Sequence, residues 1–168
     1  MKARASSRVL DVQAARLAAA DLLSRRAWTE RELAARLRRR GAPLEVAAEV
    51  VGDLMARGYL DDAAFARHWI ETRSARGYGA TRLRSELRAR GVAPPLIEHA
   101  LTALVADRSL ETARTVALRR LSVLKRGDPE RVAHRLGDYL RRRGYSASVV
   151  RRVVRDLTGA SAAIAIEN

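Results

Sequence analysis

Asp61 with Asp62, the histidines His68, His99 and His134, and the Gly77-Tyr78-Gly79 turn are the residues whose types could serve catalysis, metal ligation or phosphate binding. Paired carboxylates support metal or acid–base chemistry, but this adjacent pair follows a turn and opens a helix. A carboxylate there accepts backbone N–H bonds and faces the positive end of the helix dipole, so capping accounts for it. The histidines are read as standing in separate repeats without a second ligand one helical turn away, which leaves no metal site. Gly77-Tyr78-Gly79 lacks the further glycine, the lysine and the preceding strand of a phosphate loop, and reads as an interhelix turn. Phe65 and Trp69, one turn apart, read as core residues and not as base-stacking platforms. Tyr59 fits the surface as well as the core. No catalytic constellation emerges and no cofactor is required, so the chain is expected to bind other macromolecules and not to be an enzyme.

Charge is the stronger chemical signal. The 168 residues carry a formal charge of +14, and Lys2 and Lys125 are the only lysines among the cations. The choice of arginine over lysine fits the codons of a GC-rich genome, but the excess of positive charge does not follow from codon use. A surplus of this size suits a polyanionic partner, either nucleic acid or an acidic protein surface, through attraction and counterion release. Membrane lipid fits less well, because the bulky apolar faces of bilayer-bound helices are missing when aromatics are only 4% of the chain. With no cysteine, disulfides and thiolate metal sites are excluded. No stretch reaches the length of a membrane span and no secretory hydrophobic region follows the basic N-terminus, so a cytoplasmic, monomeric protein is expected.

The elements that must position these cations come in repeats. Leu37-Arg38-Arg39-Arg40-Gly41, Leu87-Arg88-Ala89-Arg90-Gly91 and Leu140-Arg141-Arg142-Arg143-Gly144 superimpose at spacings of 50 and then 53 residues. Another leucine stands four residues before each (Leu33, Leu83, Leu136) and a third seventeen after it (Leu54, Leu104, Leu157). Each repeat reads as a helix ending near its glycine, followed by a second helix. Thr29 with Glu32 forms a capping-box pattern, Asp128-Pro129 places a cap before a first-turn proline, and Pro43 and Pro94-Pro95 open the following helices. Apolar spacing in those helices is helical throughout: Leu44, Ala47, Val51 and Leu54, then Ile97, Ala100, Leu101 and Leu104, then Val149, Val150, Val153, Val154 and Leu157. A further helix precedes each pair, over 11–25 with Leu17 and Leu22, over 62–75, and over 110–124.

The expected fold is therefore all-α, with three tandem three-helix, helix-turn-helix-like repeats forming an elongated, curved body. Its parts are a mobile basic segment over 1–10, repeats over 11–60, 61–106 and 107–157, and a mobile tail over 158–168. A unit of about 50 residues buries too little surface to be comfortable alone, so neighbours should pack.

The middle of the chain carries a denser pattern: Arg57-Gly58-Tyr59-Leu60-Asp61-Asp62, Phe65-Ala66, Gly77-Tyr78-Gly79, Glu86-Leu87, and Arg90-Gly91-Val92. With Leu22-Leu23-Ser24-Arg25, Glu32-Leu33 and Leu37 before it, this ordered set resembles the RecX family over about residues 12 to 157. Gly58, Tyr59, Leu60, Asp61, Asp62, Phe65, Ala66, Gly79, Leu87 and Gly91 are the residues that carry the resemblance. It implies a regulator that binds in the groove of the RecA–DNA filament and inhibits ATP hydrolysis, strand exchange and co-protease activity, in recombination, DNA repair and the SOS response. A stand-alone, sequence-nonspecific DNA- or RNA-binding helical module is the alternative. Free single- and double-stranded DNA would be bound weakly.

Charge places the contacts. Any one arginine run is usually a solvated helix end. Three at equivalent positions, however, make Arg38, Arg39, Arg40, Arg88, Arg90, Arg141, Arg142 and Arg143 candidates for a recurring basic stripe against filament or DNA.

Overall fold

The computed structural model describes residues 9–102, 106–124 and 128–159, and among them are nine helices and no strand. α1 (Val12–Arg25), α2 (Glu30–Arg39) and α3 (Leu44–Ala56) form the first unit. α4 (Asp62–Ala75), α5 (Ala80–Ala89) and α6 (Pro94–Thr102) form the second, and α7 (Ala106–Leu124), α8 (Pro129–Arg142) and α9 (Ala147–Thr158) the third. The fold is all-α and repeated, as the periodicity predicts.

Side-chain caps set where the helices start. Asp11, Thr29, Asp61, Asp128 and Ser146 each accept a backbone N–H from the first turn that follows. The runs end in left-handed glycines, with φ of 98° at Gly41, 89° at Gly91 and 86° at Gly144. Only half of the capping box at Thr29 forms: the hydroxyl accepts from Glu32 N at 3.2 Å, while the Glu32 carboxylate turns to Arg26 and Arg90.

The recurring leucines are the centre of each unit. Leu33, Leu37, Leu83, Leu87, Leu136 and Leu140 are all at 0% exposure. Against them pack three layers from the third helices: Ala47, Ile97 and Val150; Val50, Ala100 and Val153; Val51, Leu101 and Val154. Alanines complete the interior, with Ala15 and Ala19 of α1 and Ala113 and Ala117 of α7 fully buried. Their small side chains let α1 and α7 approach closely, whereas α4 packs through Phe65, Ala66 and Ile70, and each unit has its own core.

Some expected apolar positions differ. Leu17 is 75% exposed, because Ala15, Ala19 and Leu22 form the inward face of α1. Leu44 is 59% exposed at the first turn of α3, whose inward face begins at Ala47. α7 starts at Ala106, four residues before the expected Leu110. Thr158, assigned to the tail, is the last residue of α9, which ends on left-handed Gly159 with φ of 66°. Leu10, assigned to the basic N-terminal segment, donates its N–H to Gly41 O at 3.1 Å. Residues 1–8, 160–168 and Leu104 lie outside the described residues.

Candidate nucleic-acid interface

The two junctions between units repeat one contact. At the first, Thr29 Oγ1 donates to Arg90 O at 2.7 Å, so the start of α2 sits on the turn after α5. At the second, Gly79 N donates to Arg143 O at 2.8 Å and Thr81 N to Gly144 O at 3.1 Å, so the start of α5 sits on the turn after α8. The glycines permit the approach. A Cβ on Gly144 would stand 2.4 Å from Arg82 N, and one on Gly79 would stand 2.4 Å from Gly144 O. Left-handed φ and close contact together explain why an arginine run ends in glycine.

Asp61 and Asp62 divide the capping between units. Asp61 accepts from Ala63 N at 2.8 Å and Ala64 N at 3.0 Å, capping its own helix. Asp62, buried, instead accepts Glu30 N at 3.0 Å and so caps α2 of the first unit. Burial pushes the Asp62 carboxyl up, the Glu30 N–H opposes that, and the negative charges of Asp61 and Glu32 add to it. Glu30 is likewise raised, first by burial and then by Asp62 and Asp61.

The last arginine of each run has a partner within the fold. Arg40 lies 3.6 Å from Asp21. Arg90 pairs with Glu32 and stands 4.0 Å over the Trp69 ring. Arg143 donates to Arg76 O at 2.9 Å and Gly77 O at 3.1 Å, beside Tyr139 at 4.9 Å and Tyr78 at 5.3 Å. Arg38, Arg39, Arg88, Arg141 and Arg142 are exposed, with Arg141 paired to Asp138. Arg39 and Arg40 also line a groove of about 450 Å³ with Arg25, Arg26, Arg36 and Trp28.

Of the remaining family-pattern residues, Leu60, Phe65, Ala66 and Leu87 are buried, and Gly58 adopts φ of 73°. Tyr59 is 69% exposed, which decides its place on the surface. Phe65 stacks on Trp69 with centroids 5.8 Å apart, and Trp69 Nε1 donates to Glu86 at 3.1 Å. Burial acts to raise the Glu86 carboxyl, but hydrogen bonds from Arg73, Arg82 and Trp69 outweigh it and hold it below the usual range. His68 and His99 are exposed. His134 does have a carboxylate one turn on, with Nδ1 3.4 Å from Asp138 Oδ2, contrary to the sequence reading. Among the described residues no third ligand joins that pair.

Attention to the runs misses Arg151, Arg152 and Arg155 on α9. They interleave with the valines of Val149-Val150-Arg151-Arg152-Val153-Val154-Arg155, so the pattern was visible as one amphipathic helix with a basic outer face.

Fold and surface together define a class: an all-helical protein of three repeated three-helix units, with basic helix ends and a basic last helix. The family descriptions matching the chain are "RecX, first three-helix domain" over residues 15–54, "second" over 61–101 and "third" over 106–154. The regulatory protein RecX of Streptomyces coelicolor is 38% identical over 145 residues, spanning 86% of this chain and 77% of its own. That of Thermobifida fusca is 40% identical over 137 residues, spanning 80% and 74%. In three dimensions the crystal structure of RecX from Lactobacillus salivarius superimposes with a TM-score of 0.80 at 17% identity, covering 89% of this chain and 97% of that one. The chain belongs to the RecX family of regulatory proteins.

Proposed function

We propose that this protein binds in the groove of the RecA–DNA filament as a monomer and inhibits the recombinase in the cytoplasm, acting on recombination, DNA repair and the SOS response. It acts by occupying a surface and catalyses no reaction. ATP hydrolysis, strand exchange and co-protease activity fall together, because all three need the assembled filament. The units, taken as 11–60, 61–106 and 107–157, form an elongated curved body that follows the groove. Membership of the RecX family carries this reading. Its physical support is a formal charge of +14 on a repeated helical scaffold, which suits a helical groove lined with phosphate. Arg38, Arg39, Arg88, Arg141 and Arg142 are the proposed contacts to filament or DNA. Arg90 and Arg143 hold the units at the angle those contacts need, while Arg40 ties α2 to α1 within the first unit.

The test is recombinase ATPase activity on single-stranded DNA with increasing amounts of the purified protein. Inhibition at substoichiometric ratios supports the reading. Inhibition only when the DNA is fully coated would instead make the protein a simple DNA-binding module.

A further inference from the structure

Equivalent positions on the third helices carry different charge on the same framework. Inward, Val50, Ala100 and Val153 are buried alike, as are Val51, Leu101 and Val154. Outward, Glu49 of α3 corresponds to His99 of α6 and Arg152 of α9, and all three are exposed. Ala48, Glu98 and Arg151 also correspond, with Arg151 half-buried, and so do the exposed Gly52, Thr102 and Arg155. α3 carries Glu45, Glu49 and Asp53 with no base; α6 carries Glu98 as its one formal charge; α9 carries three arginines against Asp156.

The fold does not require this gradient, since the corresponding inner positions are apolar and buried in all three units and the charges lie on the other face of each helix. Nor is it neutralised where it is basic. Glu49 and Asp53 lie 3.7 Å from Arg16, and Glu98 is held by Arg84 at 2.6 Å. Arg151, Arg152 and Arg155 form no ion pair among the described residues, Asp156 included. Like charges three and four residues apart repel and weaken an isolated helix. An anionic partner removes that repulsion and releases its own counterions.

We infer that the outer face of α9 is the surface that holds the sugar–phosphate backbone of DNA, and that the corresponding acidic face of α3 faces away from it. This deepens the proposed function by fixing which end of the chain lies against nucleic acid. Guanidinium groups on successive turns follow a phosphate run without reading bases, so binding is insensitive to sequence.

The experiment measures binding of the purified full chain to oligonucleotides across a salt series, with no recombinase present. Arg152→Gln with Arg155→Gln should reduce the slope of log K against log salt by about 1.8 on duplex and about 1.4 on single strands. Arg152→Lys with Arg155→Lys should keep the parental slope. Arg25→Gln with Arg57→Gln removes the same charge from exposed positions of the first unit outside the proposed contacts and should change the slope by less than half as much. Circular dichroism shows whether each variant keeps its helix content. A parental slope in the α9 glutamine variant overturns the inference, as does an equal loss in the first-unit variant, which would make net charge the only determinant. A second assay measures binding to DNA-free recombinase, and its loss in the α9 glutamine variant with oligonucleotide binding intact overturns the inference in favour of an acidic protein surface. If the α9 glutamine variant loses DNA binding but still inhibits recombinase ATPase, this inference stands and the filament reading stands beside it. If the parent never inhibits, only the filament reading falls.

Discussion

The carboxylate of Asp62 accepts the backbone N–H of Glu30 at 3.0 Å, so a residue at the start of the second unit caps a helix of the first. Asp62→Ala removes that acceptor from a buried site and should destabilise the protein by about 1 to 2 kcal/mol. Asp62→Asn keeps an acceptor oxygen and should lose clearly less. Denaturant melts of the two variants beside Asp61→Ala, which removes a cap within one unit, would give the comparison. Equal stability of Asp62→Ala and parent would show that water replaces the contact.

The same pair predicts a pH effect. Both Asp62 and Glu30 titrate above their ordinary values in the folded state, chiefly through burial. The folded protein therefore binds protons more tightly than the unfolded chain. Their contribution to stability is present below the ordinary carboxylate range and is lost as pH rises through the raised values. Glu86 has the opposite sign: held low by Arg73, Arg82 and Trp69 against its burial, it stabilises above about pH 4.3 and loses this as pH falls through its folded value. Melts from pH 3 to 7 should show Asp62→Asn flattening the decline with rising pH and Glu86→Gln flattening the decline with falling pH.

Much of this architecture is legible in the sequence because it rests on local rules. The leucine pairs, Thr29, Asp61 and Asp128 caps and left-handed glycines each depend on neighbours within a few residues, and all took the expected roles. Leu17 and Leu44 were misplaced because an apolar type alone does not say which helix face turns inward, and alanine fills the core of α1. Asp62, Glu32 and Arg90 were opaque for another reason. Their partners lie 32 and 58 residues away, so no local pattern could assign an acid to the neighbouring unit or turn an arginine inward.

Glycine substitutions separate strain from collision. Gly58, with φ of 73°, has nothing within 4 Å of an added Cβ, so Gly58→Ala should cost only the left-handed penalty of about 1 to 2 kcal/mol. Gly144→Ala has the same penalty and also drives a Cβ to 2.4 Å from Arg82 backbone. Its loss should be visibly larger, and limited proteolysis should open the junction between second and third units first. Equal melting temperatures for the two variants would contradict the repeated docking contact.

Core and surface positions should part in the same way. Phe65→Ala removes a ring that is 9% exposed and stacked on Trp69, and should cost about 3 to 5 kcal/mol. Leu17→Ala should stay within about 0.5 kcal/mol of the parent, since its side chain is 75% exposed. Thermal melting of both would check the placement of α1 as well as that of α4.

The arginine runs make the most informative comparison, because neighbours within one run have different work. Arg142 has an exposed side chain, whereas Arg143 donates to Arg76 O and Gly77 O and lies beside Tyr78 and Tyr139. Arg142→Glu should leave the melting temperature near the parent's, since exposed helix-end changes cost little. Arg143→Glu deprives two carbonyls of their donor and places an anion against two aromatic faces, so it should lower stability by about 2 kcal/mol or more. If the exposed arginines contact the filament, Arg39→Glu combined with Arg142→Glu should weaken recombinase inhibition in a protein that is still folded. All variants must be assayed at one ionic strength, because surface charge effects are screened over about 8 to 10 Å. Full inhibition by the folded Arg39→Glu, Arg142→Glu variant would remove these two residues from the interface, while parental stability of Arg143→Glu would remove the third arginine from the junction.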